Sequence, residues 1–479
     1  MRALLTLLSE NEIEQIHEAT LEVLENTGVD IHSDAVASHL AQKGAVRTGD
    51  NVRFPRKMVE EAISMVNKEI LFAGRDAAFD FTIPDFNRTH NSTGGYSPFY
   101  YDEIGKPRRR STSKDLVNIA KLCNGLENVD FFWPIILPGE EKNAALEEIG
   151  MFYYSTLHLG KHLECSVSHP ETARYMIEMA QAVAGGSEAL KQRPILSAVA
   201  SPTTPLAFED CTADAMALLA KAEIPISPMN VPLAGTTAPA SLAGTMVLTN
   251  AEQLATLVIV KAYNPNAPVL YTCDSGAADM RTGDIAYSGA DYDLLSIGCG
   301  QMARFYDMPC CVAQGCNEDR PYTSPGEFMN NIQRISYSQM TESDTSCWMG
   351  STDNALATSI WDIVLDNEAM NYVKDFCRVA DVNKKTLAVD VINQVGPCGE
   401  FLSNKHTVKN FRKQLTVKDH TQSFIFKDVT EEKDYRHLAR ELGQKIIDAA
   451  PEIDVDETLA TDLGKIMEAA REELGNLKL

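Results

Sequence analysis

Residues 162–168 read HLECSVS, 171–184 ETARYMIEMAQAVA, 195–201 ILSAVAS, 209–221 EDCTADAMALLAK and 224–229 IPISPM. The first, third and fifth are short apolar-rich stretches of strand length, bounded by turn residues. The second and fourth repeat their apolar side chains at helical spacing. Strands joined through a helix run parallel, because the crossover returns the chain to the same end of the sheet. The alternation extends outward in both directions. Further strands are predicted at Thr89–Tyr96, Val129–Ile136, Pro268–Cys273, Cys310–Gly315 and Thr345–Gly350. Helical patterns cover Ser113–Asn124, Glu252–Tyr263, Asp291–Tyr306 and Ser324–Glu342, the last opening on a Ser324-Pro-Gly-Glu327 capping box. Eight strand candidates alternating with helices predict the α/β class and, within it, a (β/α)8 TIM barrel. An open doubly wound sheet fits less well, since no Gly-rich first turn follows an early strand.

The flanks read differently. Residues 1–88 form an N-terminal segment that looks helical over its first 70 residues, with a Ser9/Glu12 capping box, an apolar face from Ile13 to Leu24 and Gly28 as a stop. Further helices are predicted at Ser33–Lys43 and Pro55–Asn67, and Phe99–Arg110 reads as a hairpin around Ile104-Gly105-Lys106. The barrel is expected over 89–360. Residues 361–479 form a helical C-terminal extension, with helices at Trp361–Val373, Lys385–Asn393, Glu431–Asp448 and Thr458–Leu474.

Composition narrows the function. The chain has 479 residues and a formal charge of −24, which repels phosphate backbones and anionic lipid surfaces. No nucleic-acid or membrane partner is expected. Apolar runs such as Leu254–Val260 and Phe131–Leu137 fall far short of the ~20 residues of a spanning helix. The N-terminus runs from a short apolar patch into an acidic helix, unlike a signal peptide. Eleven scattered cysteines without a Cys-x-x-Cys pair point to a reduced, cytoplasmic setting.

Barrel chemistry sits at the C-terminal ends of the strands. Reading those ends gives Tyr96 and Phe99, Trp133, His169, Ser201 and Thr203, Asn230, Asp274, Gln314 and Asn317, and Trp348 with Asp353. No nucleophile elbow, Walker loop, dinucleotide fingerprint or His-Glu-x-x-His motif accompanies them. No metal site is expected: His158 and His162 do not share a helical face, and Cys310 and Cys311 point to opposite faces of a strand. Several aromatic faces at one mouth would attract a permanent cation, although each ring taken singly also fits a core role. Acidic stretches such as Glu140–Glu148 read as solvated helix faces.

Four segments carry a family resemblance: EIEQIHEATLEVLENTG (12–28), NVPLAGTTAPASLAGTMVLTNAEQL (230–254), LDNE (365–368) and DVINQVGPCGEFLSNKHT (390–407). In these the chain resembles the trimethylamine methyltransferase (MttB-like) superfamily. That resemblance implies a barrel moving a methyl group from a methylated amine to the cobalt of a separate corrinoid protein. No cofactor is then tightly bound, since the partner supplies the cobalamin. Founding archaeal members carry pyrrolysine, whereas this chain uses the ordinary twenty residues. That departure implies a quaternary amine such as glycine betaine, proline betaine or carnitine as donor. A quaternary ammonium is already charged and leaves as a neutral amine without a general acid. Tyr96, Trp133 and Trp348 are the cage candidates; Thr203, Asn230, Gln314 and Asn317 are candidate donors to a carboxylate, and Asp353 a candidate orienting group. The turn-rich loop 396–407, with Lys405 and His406, is the candidate docking segment for the corrinoid protein, and a homo-oligomer is expected. Trimethylamine or another tertiary amine as donor, and a non-catalytic amine-binding role, are the alternatives.

Overall fold

The computed structural model describes residues 3–287, 289–314, 325–377, 381–415, 429–430, 434–451, 453 and 455–476. Its centre is a succession of short parallel strands. Leu163–Ser166 pairs with Leu196–Val199, which pairs in turn with Ile226–Ser227. Ile226 bridges to Val269, and the adjoining Tyr271–Thr272 pairs with Cys310–Cys311. Ala313–Gln314 pairs with Thr345–Met349, and Thr345–Met349 with His90–Thr93. The 130–136 stretch makes no regular strand, yet Asp130 N–H donates to Asn91 O at 2.7 Å and Phe132 bridges to Leu163. The order of neighbours therefore runs from the first stretch through the eighth and back to the first.

A helix follows each stretch: Ser113–Gly125, Ala144–His158, Pro170–Ala184, Asp210–Lys221, Leu242–Tyr263, Ala290–Phe305, Pro325–Met340 and Ile360–Cys377. Thr112 and Asp115 close the first with a reciprocal cap, and Pro170 opens the third at its first position. Two of these helices differ from the reading of the sequence. Ala144–His158 spans a region read partly as a solvated acidic face, but Glu148 is buried with Ile149 and Phe152. Leu242–Tyr263 begins ten residues before the predicted Glu252. Ser241 caps it, and Gly244 in the first turn dilutes the helical pattern. At 22 residues this helix is long and apolar enough to cross a membrane by composition, contrary to the expectation from shorter runs, but 83% of its apolar window is buried inside the protein.

The N-terminal segment is less helical than expected. The Ser9/Glu12 box and the helix Glu10–Glu22 are present. Between the helices, however, lie strands Val29–Ile31, Val46–Thr48, Asn51–Arg53, Ile70–Phe72 and Phe81–Ile83. Three-residue strands carry too little alternation to register as a period. Val29–Ile31 joins this segment to the rest by pairing in parallel with Ala207–Phe208. The Phe99–Tyr100 and Arg109–Arg110 hairpin forms as expected, with Gly105 at φ +75° in its turn.

Past Cys377 the described elements are helical: Lys384–Leu387, Val389–Val395, Lys405–Gln414, Tyr435–Ala449 and Glu457–Leu474. Ile360–Cys377 itself continues the strand–helix alternation. Tyr435–Ala449 packs so closely on it that a Cβ on Gly443 would lie 2.2 Å from Ile360 Cγ2. Glu457–Leu474 is tied down by Glu473, which accepts from Arg174 at 2.8 Å and from the Tyr175 hydroxyl at 2.5 Å.

Candidate functional site

A cavity of about 450 Å³ opens where the parallel strands end. Gly95 and Tyr96 reach it from beyond His90–Thr93, Trp133 from the 130–136 stretch, and Trp348 from Thr345–Met349. Ser166, Val199, Met229 and Asp274 line it at or just past the ends of four further strands. The helix Ala144–His158 contributes Glu148.

The aromatic corner depends on glycine. Trp133 and Trp348 stand with ring centroids 5.6 Å apart, tilted by 52°. A Cβ on Gly95 would lie 2.6 Å from Trp348 Cζ3, and one on Gly94 would lie 3.2 Å from Trp133 Cε3 and 2.9 Å from the Trp348 nitrogen. Trp348 itself holds φ at +79°, a left-handed backbone that a bulky residue rarely adopts. Each indole N–H is buried and finds no acceptor among the described residues. The two indoles together bring a large aromatic surface to the cavity wall. Tyr96 stands at the mouth, 46% exposed, its phenol pushed up by partial burial and then by the nearby Glu148.

Two acids face this corner. Glu148 accepts from the Ser168 hydroxyl at 2.8 Å and from the Ser168 N–H at 3.1 Å. Burial pushes it up to about 7, against the lowering effect of those bonds. Asp274 accepts from the Tyr292 hydroxyl, and burial likewise pushes it up to about 7. The Arg334 guanidinium sits 4.8 Å from the Tyr292 ring centroid, where it works to lower Asp274. One layer below, Glu164 accepts at 2.9 Å from both Ser197 and Ser227 and is pushed up by full burial. His162, 2.9 Å from the Ser197 hydroxyl, is pushed down to about 4, so it is neutral at pH 7.

Of the candidates read from the sequence, the structure brings Tyr96, Trp133, Ser201, Asp274 and Trp348 into this one cavity. Thr203 lies outside its lining, exposed in a turn where its backbone exchanges bonds of 2.8 and 3.0 Å with Ala207. Asn230 is buried behind the wall, donating to Glu252 at 2.7 Å and to Thr249 O at 3.2 Å, and accepting from Gln253 at 3.0 Å. Those bonds fasten a strand end to the helix Leu242–Tyr263. Asp353 pairs with Arg108 and accepts from the Tyr101 hydroxyl at 3.3 Å. Gln314 ends a strand, but its side chain and all of Asn317 lie outside the described residues. Lys405 and His406 open the helix Lys405–Gln414, whose first turn Asn404 caps by accepting from the His406 N–H. Among the described residues no three His, Cys, Asp or Glu side chains converge as a metal site.

Sequence reading missed Glu148. The signal was its spacing: Ala145, Glu148, Ile149 and Phe152 share one buried helix face, and a carboxyl there is an anomaly.

An α/β chain whose parallel strands end on an aromatic-walled, acid-bearing cavity has the arrangement of α/β proteins that carry their site on the strand-end loops. The comparisons with known proteins define it further. The sequence model described as trimethylamine methyltransferase (MTTB) matches residues 2–475, and the chain belongs to this family. It is similar to the glycine betaine methyltransferase of Desulfitobacterium hafniense strain Y51, 26% identical over 85% of each chain. It is also 26% identical to the trimethylamine methyltransferase MttB of Desulfitobacterium hafniense strain DSM 10664 / DCB-2, over 98% of this chain and 94% of that one. Among solved structures, the Methanosarcina barkeri monomethylamine methyltransferase MtmB shares the fold, with a TM-score of 0.52 at 11% identity over 99% of this chain and 89% of that one.

Proposed function

We propose that this protein transfers a methyl group from a quaternary amine to the Co(I) of a corrinoid held by a separate protein, with residues 89–360 forming a (β/α)8 barrel around the donor site. The observation that carries the reading is the Trp133–Trp348–Tyr96 corner inside an acid-bearing cavity. The cyclic order of parallel neighbours and the eight following helices support the barrel.

The corrinoid is the acceptor substrate: its cobalt supplies a strong nucleophile toward a methyl carbon. The chain's own residues have three tasks. The indole faces and Tyr96 bind the ammonium through their quadrupoles once water has left. The cavity wall fixes one N–CH3 bond toward the mouth, which replaces a bimolecular search with a held geometry. Glu148 and Asp274, lining the same cavity, supply acidic surroundings that favour a cationic donor over a neutral amine. No proton has to reach the leaving nitrogen, since a quaternary donor departs as a neutral tertiary amine.

Incubating the protein with Co(I) cobalamin and glycine betaine, proline betaine, carnitine, choline or trimethylamine tests this. Methylation of cobalt from a quaternary amine, with the demethylated product identified, is the expected result. Turnover with trimethylamine alone would replace the quaternary donor with a tertiary one. The two carboxyls favour that second reading to one extent, because a protonated tertiary amine has an N–H to give them and a quaternary amine has none.

A further inference from the structure

Aromatic faces account for the recognition of an ammonium, but not for the two acids placed beside them. Glu148 and Asp274 are each at most 3% exposed and both line the cavity. No Lys or Arg lines it among the described residues. Their hydrogen bonds come from behind, from Ser168 for Glu148 and Tyr292 for Asp274. The donors therefore fix the carboxyls without neutralising them.

We propose that Glu148 and Asp274 determine which methylated amine this cavity takes: their carboxylates face the donor and sort amines by net charge, holding a cationic quaternary amine more tightly than a zwitterion with the same ammonium. The inference rests on the reading of the cavity as a methylated-amine site, and it narrows that reading to a rule of charge.

The surroundings set the direction. Around Glu148 stand the hydroxyls of Ser168 and Thr172, the Tyr96 phenol and the buried Cys165 thiol, and among the described residues no cation works on it. Around Asp274 stand the Tyr292 phenol, the Arg334 guanidinium and the thiols of Cys273 and Cys347. The empty cavity favours protons on both acids near pH 7, because burial disfavours their charge. An entering ammonium favours the charged forms and expels those protons. Its affinity rises with pH from 6 to 8, by up to about tenfold per unit for each proton released. A carboxylate on the donor opposes that change, so a betaine's affinity moves less and gains relative ground as the acids protonate.

The test titrates the full-length protein with tetramethylammonium, choline and glycine betaine at pH 6, 7 and 8, following tryptophan fluorescence. Expected is at least tenfold tighter binding of choline and tetramethylammonium at pH 8 than at pH 6, with less than a threefold change for glycine betaine. Glu148→Gln and Asp274→Asn should each flatten the choline slope and lower the choline-to-betaine affinity ratio severalfold. Calorimetry of the unmodified protein in two buffers of different ionisation enthalpy gives the protons released per choline without relying on a variant's folding. Choline binding that is independent of pH and releases no proton overturns the proposal while leaving the amine site standing. If none of the three amines binds, the proposed function falls as well.

Discussion

Trp348 holds its indole 5.6 Å from that of Trp133, on a backbone with φ +79°. The ring faces Gly95, where a Cβ would come within 2.6 Å of its edge. A left-handed bulky residue costs on the order of 1–3 kcal/mol and persists where its surroundings over-determine it. Here the reward for that strain is a further aromatic face in a cavity already lined by Trp133 and Tyr96.

Replacing one indole with a smaller ring weakens the cation's electrostatic partner without emptying the site. Trp133→Phe and Trp348→Phe are each expected to raise the donor's KM or Kd by about 3–10-fold, in line with ~0.5–2 kcal/mol per cation–π contact. Full truncation to Ala would add a core cavity cost of ~3–5 kcal/mol and confuse stability with binding. Calorimetric titration of the Phe variants with choline checks the point, and unchanged affinity in both would remove the aromatic role.

Gly95→Ala tests the same corner from the other side. Gly95 has φ +84° and no space toward the Trp348 ring. The methyl must move the ring or the loop, at a cost of about 1–3 kcal/mol. Donor affinity should fall by at least tenfold and Tm by several degrees. A comparable change at Gly105, where a Cβ meets nothing within 4 Å, should lower Tm slightly and leave donor binding alone.

Stability should depend on pH through the buried acids. Glu148 and Asp274 are pushed up to about 7, and Asp362 to about 8, each by burial. The folded state therefore holds protons that the unfolded chain has released above pH ~4–5. Stability is greatest at the acid side of that window and declines as pH rises through 7, by ~3–6 kcal/mol from one such group to another. Thermal melts of the amine-free protein should show a lower Tm at pH 8 than at pH 6. Glu148→Gln should reduce the difference, and saturating choline should raise Tm more at pH 8 than at pH 6. A Tm that rises steadily from pH 6 to 8 would contradict the buried protons.

The succession of strands and helices was legible because it is a repeated pattern of burial, written in runs such as HLECSVS and ILSAVAS. Trp133 and Trp348 were legible for a related reason: strand-end position alone places a large ring near the mouth. Asn230 shows where that rule stops. It too follows a strand end, but its amide is used up by Glu252, Thr249 and Gln253, a set of partners that only the folded helix Leu242–Tyr263 brings together. Thr203 was drawn away by its turn with Ala207, and Asp353 by Arg108. Glu148 failed in the opposite sense. In a sequence rich in acids it looked like one more surface carboxylate, although Ala145, Ile149 and Phe152 put it on the buried face. The short N-terminal strands, three residues each, leave no period to read.

The segment 381–415 offers the last test. Its short helices expose Val389, Ile392 and Val408, and the turn between them Phe401 and Leu402, an unusual amount of apolar surface for a chain of net charge −24. Six cations, Lys384, Lys385, Lys405, Lys409, Arg412 and Lys413, outnumber its acids Asp381, Asp390 and Glu400. A basic, apolar surface on an acidic protein suits an acidic protein partner, and a methyl acceptor carried by another protein has to be brought to the cavity. Lys405 opens the helix Lys405–Gln414 and His406 lines a separate hollow there, apart from the residues that line the donor cavity. Lys405→Ala with His406→Ala is therefore expected to slow methyl transfer to the corrinoid protein severalfold, with a steeper loss at low salt than at high salt. Donor binding and transfer to free cobalamin should stay as they were, because neither depends on docking. Transfer kinetics to the corrinoid protein that are unchanged at every salt concentration would take the docking role away from these two residues.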